Sequence, residues 1–185
     1  TVAHLVENVP APVQGIVGPW VHQYPHTAVP GPAIGFLQVA LRWWDRWLKG
    51  IENGAENDPA YRAYMIHSEA PDASAKYRAG HWVAEDVWPS PRVTRAVLAV
   101  GERSGEGQPS PVPTARALGA TVALHHPVKI NTPQHLGMHT GEFFPMGLNA
   151  EMPGDQASDD ALSVCFDGVV LSEPLDLLGA ARLSL

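Results

Sequence analysis

Residues 32–49 carry the strongest pattern in the chain, with apolar side chains recurring at intervals of three and four residues. This spacing is typical of one face of an amphipathic α-helix, and charged side chains occupy the opposite face. Pro32 suits the first turn, and Gly50 and Gly54 are suited to end the helix. The pattern therefore predicts a helix over residues 32–49 whose apolar stripe packs against a core, and the stripe consists of Leu37, Leu41, Trp44, Leu48 and Ile51, widened by Ala40 and Trp47.

The rest of the chain is rich in residues that form turns, with 17 glycines and 18 prolines among 185 residues. Short apolar runs lie between these turns, and they predict strands at residues 13–17, 61–67, 80–83, 93–100, 120–124, 143–144 and 162–166. The alternation over residues 181–185 predicts one more half-buried strand. Short strands separated by turns are typical of a β-sandwich or a jelly roll. A loop is expected at residues 101–113.

Charge and cysteine content exclude several classes of function. The formal net charge is −7, and no cluster of Lys and Arg forms the basic stripe that nucleic-acid binding requires. No apolar run is long enough to span a membrane, and no signal-peptide pattern is present. The single cysteine, Cys165, is expected to be a small buried hydrophobe. We therefore expect no nucleic-acid partner and no membrane association. A cytoplasmic location is favoured, and the compartment stays open because the chain does not begin with Met.

Three blocks of sequence resemble the cocaine-esterase-like (CocE/NonD) serine hydrolases, which include X-Pro dipeptidyl peptidases. The first is Gly-Pro-Trp-Val-His at residues 18–22, and the second is the Trp-rich block at residues 40–50. The third runs from Pro-Gly-Asp-Gln-Ala-Ser-Asp-Asp at residues 153–160 to Leu-Ser-Glu-Pro-Leu-Asp-Leu-Leu-Gly at residues 171–179. The segment from Gly80 to Pro89 is similar to the join between the catalytic and C-terminal domains of that family.

The resemblance implies a mixed α and β fold in two parts. Residues 1–56 correspond to the end of an α/β-hydrolase domain, with its last strand, its histidine loop and its long final helix. Residues 57–185 correspond to a linker and the first part of a β jelly roll. We expect both termini to be cut, so that the chain is a fragment of a longer hydrolase that cleaves ester or amide bonds through an acyl-enzyme.

His22 matches the histidine of the family's Gly-Pro-Trp-x-His motif and is the one candidate catalytic residue. A histidine on the loop after the last sheet strand can act as general base and general acid for a serine. The chain holds no Gly-x-Ser-x-Gly nucleophile elbow, and residues 1–21 hold no aspartate. We therefore expect the chain alone to be inactive.

The same resemblance implies no metal and no organic cofactor. The expected substrate is a small ester or amide or a short X-Pro peptide. The expected protein partners are the remainder of the parent chain and a second copy of this chain.

Three other interpretations stay open. The first is a jelly-roll module that is not catalytic and binds carbohydrate or a protein partner. The second is a zinc or iron site built from His125, His126, His135, His139 and Glu142, although prolines and glycines make a helix there unfavourable. The third is a calcium site at the aspartates of residues 155–167, where a role in turns is the competing explanation.

Overall fold

A three-stranded sheet organises the first part of the chain in the computed structural model, which describes residues 2–96, 131–142, 151–163 and 171–182. Strand β1 spans Gly15–Val17, β2 spans Tyr61–Ile66 and β3 spans Gly80–Glu85, in the order β1-β2-β3. Strand β1 pairs with β2 in parallel, and β2 pairs with β3 antiparallel. The described residues thus form a mixed α and β structure, as expected. The predicted strands at residues 13–17, 61–67 and 80–83 are confirmed with small shifts of their ends.

One face of the sheet carries a small apolar core. Helix α1, at Val2–Asn8, places Val6 against Tyr61, Ala63 and Met65, which alternate along β2 on this face. Gly15 permits the close approach of α1, because a Cβ atom there would lie 2.7 Å from a methyl carbon of Val6. The sequence analysis did not predict α1, which is only seven residues long.

Aromatic side chains pack on the opposite face. Tyr64 of β2 and Trp82 of β3 are directly opposed in the register, and their ring centroids lie 5.2 Å apart in an edge-on arrangement. Trp20, from the loop after β1, contacts Trp82 with a centroid distance of 6.1 Å. This cluster joins the loop after β1 to the sheet.

Helix α2 spans Phe36–Lys49 and ends at Gly50, whose backbone φ is 71°. The helix and its C-terminal glycine are confirmed, but the predicted start is wrong, because the helix begins at Phe36 and Pro32 lies before its first turn. The expected burial of its apolar stripe is also wrong within the described part of the chain. No residue of α2 is buried. The stripe is exposed to solvent, with relative exposures of Leu37 58%, Leu41 58%, Trp44 52%, Trp47 39% and Leu48 73%.

The polar side of α2 is held by ion pairs instead. The Arg42 guanidinium binds the Asp58 carboxylate and also donates to the carbonyl oxygen of Asn53 at 3.1 Å. Arg46 pairs with Glu56 at 2.8 Å, in the short 3₁₀ helix Ala55–Asn57. These contacts fasten α2 to the segment that follows it.

The described residues divide into two compact units. The first comprises Thr1–Val93, Thr140–Asp155 and Leu177–Leu185, and it contains the sheet, α1 and α2. The second comprises Thr94–His139 and Gln156–Asp176, and its described residues hold turns at 134–139 and the short helix α3 at Ala157–Asp160.

The later predicted strands are wrong wherever the structure describes their residues, and residues 97–100, 164–166 and 183–185 lie outside the described part. Leu162 and Ser163 lie in turn and bend conformations rather than in the expected strand, since the turn after α3 continues through them. Residues 93–96, 181 and 182 are not in strands. The predicted strands at residues 120–124 and 143–144 and the loop at residues 101–113 lie outside the described residues, as does Cys165.

Candidate functional site

His22 lies on the loop that follows β1, beyond the carboxyl end of that strand, and its side chain is exposed to solvent. Residues at the carboxyl ends of parallel strands are well placed to meet a ligand, because the strand fixes their position while the loop presents their side chains. The structure therefore places this candidate where the sequence analysis expected it, on an accessible loop at the margin of a sheet.

The backbone on both sides of His22 is anchored. Val21 is buried, and its amide N–H donates to the carbonyl oxygen of Val29 at 2.9 Å. The indole N–H of Trp20 donates to the carbonyl oxygen of Pro32 at 2.9 Å. Pro30 is fully buried. Because its neighbours are packed and hydrogen-bonded, His22 has a defined backbone position although its side chain faces solvent.

A second part of the chain supports the same loop. The amide N–H of Gly31 donates to the carbonyl oxygen of Lys76 at 2.8 Å, and the amide N–H of Arg78 donates back to Gly31 at 3.0 Å. Lys76 and Arg78 belong to residues 67–79, the hairpin loop that joins β2 to β3. The loop that carries His22 is thus tied to this hairpin loop by two backbone hydrogen bonds.

His26 is a second imidazole on the loop, and the sequence analysis assigned it no role. Its ring stacks on Phe36 with a centroid distance of 6.0 Å and an interplanar angle of 8°, and Tyr24 packs beside both. Its Nδ1 atom is buried and has no hydrogen-bond partner among the described residues. These contacts make His26 a packing residue at the start of α2. The cluster of aromatic and histidine residues at 20–26 was the sequence signal that could have revealed it.

Ser158, His139 and Asp159 come close together in the second unit, but they do not form a catalytic triad. The hydroxyl oxygen of Ser158 and Oδ2 of Asp159 each lie 3.5 Å from the same ring nitrogen, Nδ1 of His139. A triad needs the serine on one ring nitrogen and the carboxylate on the other, so that a proton can pass through the imidazole. Asp159 is buried, and no described group hydrogen-bonds its Oδ2 atom.

The open metal-site interpretations gain no support from the described residues. Within residues 2–96, 131–142, 151–163 and 171–182, no group of three or more His, Cys, Asp and Glu side chains is arranged to hold a metal ion. His135 and His139 lie in turns rather than on one helical face. His125, His126 and Asp167 lie outside the described residues.

Trp43, which the sequence analysis placed at the boundary of the apolar stripe of α2, is half-buried. It packs against Trp47 with a centroid distance of 5.7 Å, and the Arg46 guanidinium lies 5.3 Å from the centre of the Trp47 ring. The tryptophans of α2 therefore contact each other and Arg46 on an exposed surface, rather than filling a core.

Comparison of the chain with protein-family models, with curated proteins and with solved structures finds no match. Among the helices in the described part of the chain, none has the length and apolar character needed to cross a lipid bilayer.

Proposed function

We propose that this chain is part of a serine hydrolase of the cocaine-esterase-like family, which cleaves ester or amide bonds through an acyl-enzyme. In this proposal residues 1–56 end an α/β-hydrolase domain and residues 57–185 begin a jelly roll. His22 acts as general base and general acid. The nucleophilic serine and the catalytic aspartate belong to the rest of the parent polypeptide, because this chain has no Gly-x-Ser-x-Gly elbow.

The position of His22 is the observation that carries the proposal. Its side chain is exposed, and its backbone is anchored on both sides on the loop that follows β1. A general base needs this combination, since it must reach the hydroxyl of the attacking serine and yet keep its orientation through the reaction. An imidazole enclosed in apolar packing could not act as a general base in this way. His26, on the same loop, is packed against aromatic rings and is an example of such an imidazole.

The uncovered face of α2 supports the proposal independently. Final helices of α/β-hydrolase domains cover a parallel sheet, and such helices carry one apolar stripe. Leu41 and Leu48 are 58% and 73% exposed. An apolar face of this kind in a soluble domain usually marks an interaction surface. In the proposed parent enzyme this face would pack against the remaining strands of the sheet.

The chemistry assigned to His22 is a two-way proton transfer. As the serine hydroxyl attacks the substrate carbonyl carbon, the imidazole takes the hydroxyl proton, and it then gives that proton to the departing alcohol or amine. A water molecule next attacks the acyl-enzyme, His22 accepts the proton of the water, and the serine oxygen receives it as the acid product leaves. The aspartate of the parent chain would hold the other ring nitrogen and stabilise the imidazolium.

A fluorophosphonate probe tests the proposal, because it forms a covalent bond to activated serines. We expect mass spectrometry to find the probe on a serine outside residues 1–185 in the full parent polypeptide, and no labelling of the isolated chain. Labelling of a serine within the isolated chain would overturn the assignment. Binding of a polysaccharide by the isolated chain without esterase activity in the parent would favour the binding module.

The substitution His22→Gln in the parent polypeptide provides a second test of the proposal. We expect kcat for a p-nitrophenyl ester to fall by about 10⁴- to 10⁶-fold, as is typical when a triad histidine is removed. His4→Gln is the matched control, because His4 is an exposed histidine on α1. Equal activity of the two variants would contradict the role of His22.

A further inference from the structure

Two histidines meet at the end of the β2–β3 ladder, away from the loop that carries His22. His67 follows the last residue of β2, and His81 is the second residue of β3. The register pairs Met65 with His81, and the ladder continues where the His67 amide N–H donates to the carbonyl oxygen of Ala79 at 2.9 Å. Side chains two residues apart on a strand share a face, so His67 and His81 lie on the same face of the sheet.

The two imidazoles approach each other through their ring nitrogens. Nε2 of His67 lies 3.2 Å from Nδ1 of His81, and the ring centroids are 5.5 Å apart. Both side chains are exposed to solvent. At this distance one ring donates an N–H hydrogen bond to the other, and the pair shares one proton between two nitrogens that are both good metal ligands.

The same separation fits a shared metal ion. Two imidazole nitrogens bound to one tetrahedral Zn²⁺ ion, with bonds of about 2.05 Å, are about 3.3 Å apart. The pair therefore already has the nitrogen spacing of a chelate, and small rotations of two exposed rings would bring both lone pairs onto a common point. We propose that His67 and His81 form a binding site for a borderline-soft divalent transition-metal ion of the Zn²⁺ and Cu²⁺ class.

Binding requires a tautomer change but no loss of a proton. The ring that donates in the metal-free pair moves its hydrogen to its other nitrogen, so that both Nε2 of His67 and Nδ1 of His81 present lone pairs. Among the described residues, no group of three or more His, Cys, Asp and Glu side chains is arranged to hold a metal ion, so the pair would supply two ligands of the site. Imidazole ligands favour Zn²⁺, Cu²⁺ and Ni²⁺ over Mg²⁺, which prefers oxygen.

A metal ion at this place would close the base of the hairpin loop at residues 67–79. The ion would link the two ends of that loop, and the loop makes the hydrogen bonds that hold Gly31. A crosslink between the two ends of a loop lowers the conformational entropy of its open states. The bound ion therefore stabilises the closed hairpin relative to the open one. The inference concerns metal binding by this chain and does not rest on the proposed hydrolase activity.

Calorimetric titration of the full 185-residue chain with Zn²⁺ tests the site. We expect His67→Asn and His81→Asn each to weaken Zn²⁺ binding by about 100-fold, because each converts a two-point attachment into a single contact. His4→Asn is the matched control and should leave binding unchanged, since His4 is an exposed histidine outside this pair. His135→Asn removes a residue of the competing zinc site at residues 125–142, and it should also leave binding unchanged if His67 and His81 hold the ion. Mg²⁺ should give no heat of binding.

Two readouts on the unsubstituted chain keep the test independent of variant folding. Zn²⁺ should shift the ¹⁵N resonances of His67 Nε2 and His81 Nδ1, and it should slow hydrogen exchange at the amides of Gly31 and Arg78. The proposal is overturned if Zn²⁺ does not bind, if neither of the two substitutions weakens binding, or if His135→Asn weakens it equally.

Discussion

The guanidinium of Arg92 holds both carboxylate oxygens of the buried residue Glu85. Nη2 of Arg92 donates to Oε1 at 2.6 Å, and Nε donates to Oε2 at 3.1 Å. The hydroxyl of Ser90 also donates to Oε2. These contacts fasten the chain after β3 to the end of that strand, and they hold a charge that would otherwise be costly to bury.

This arrangement predicts a loss of stability in acid. The hydrogen bonds from Arg92 and then Ser90 lower the pKa of Glu85 below its ordinary value. A lowered folded-state pKa adds stability above the unfolded pKa of about 4.3, and this stability disappears as the pH falls through the folded pKa. Urea unfolding at pH 7, 5, 4 and 3 measures the effect. Glu85→Gln should remove that part of the pH dependence, and an unchanged profile in this variant would contradict the prediction.

Ser90→Ala should destabilise the chain by about 1 kcal/mol, because it removes a donor to a buried carboxylate and leaves that oxygen with one partner fewer. Chemical denaturation at pH 7 gives the free energy of unfolding. Ser74→Ala is a suitable control, since the Ser74 hydroxyl also donates to a carboxylate, that of Asp72, but at an exposed turn. A loss as large in the control as in Ser90→Ala would show that burial at Glu85 is unimportant.

Gly80→Ala should cost about 1–3 kcal/mol, in the range of other overpacking substitutions. A Cβ atom at Gly80 would lie 2.2 Å from the carbonyl oxygen of Met65 and 2.7 Å from a ring carbon of Tyr64. Gly35→Ala is the matched control, because its nearest neighbour is the flexible Gln38 side chain at 3.0 Å. Thermal and urea unfolding of both variants check the prediction, which fails if they are equally stable.

Leu41→Gln should leave the free energy of unfolding of the isolated chain within about 0.5 kcal/mol of its original value, since the side chain is largely exposed. The same change should reduce self-association, measured by sedimentation, because it removes apolar surface from α2. Met65→Ala, in the core, should instead cost about 2–5 kcal/mol. A comparable loss in Leu41→Gln would mean that the helix face is covered.

Local pattern predicted the elements of the first unit well and their packing less well. The helical spacing over residues 32–49 identified α2 and its end at Gly50, because both depend on residues close in sequence. Periodicity shows which side of a helix is apolar but not what covers it, and the stripe of α2 is exposed in the described residues. Helix α1 escaped prediction because two turns give too little periodicity to detect.

The candidate functional residues also differ in how well the sequence alone could predict their placement. His22 followed from a short motif beside a predicted strand, and the structure places it on the expected loop. The pairing of His67 with His81 depends on the register of two strands, which the sequence does not display. The contact of His139 with Ser158 and Asp159 joins residues far apart in the chain, and only the folded geometry shows that both approach one ring nitrogen.

Strand β1 is an edge strand of the sheet, and within the described residues it is paired on one side only. Its outward amide and carbonyl groups form a template on which an extended segment of another polypeptide could dock by β-augmentation. Since β1 leads directly into the loop of His22, a strand added there would lie next to the catalytic candidate. Growth of the sheet at this margin would therefore place a new strand beside the loop of His22.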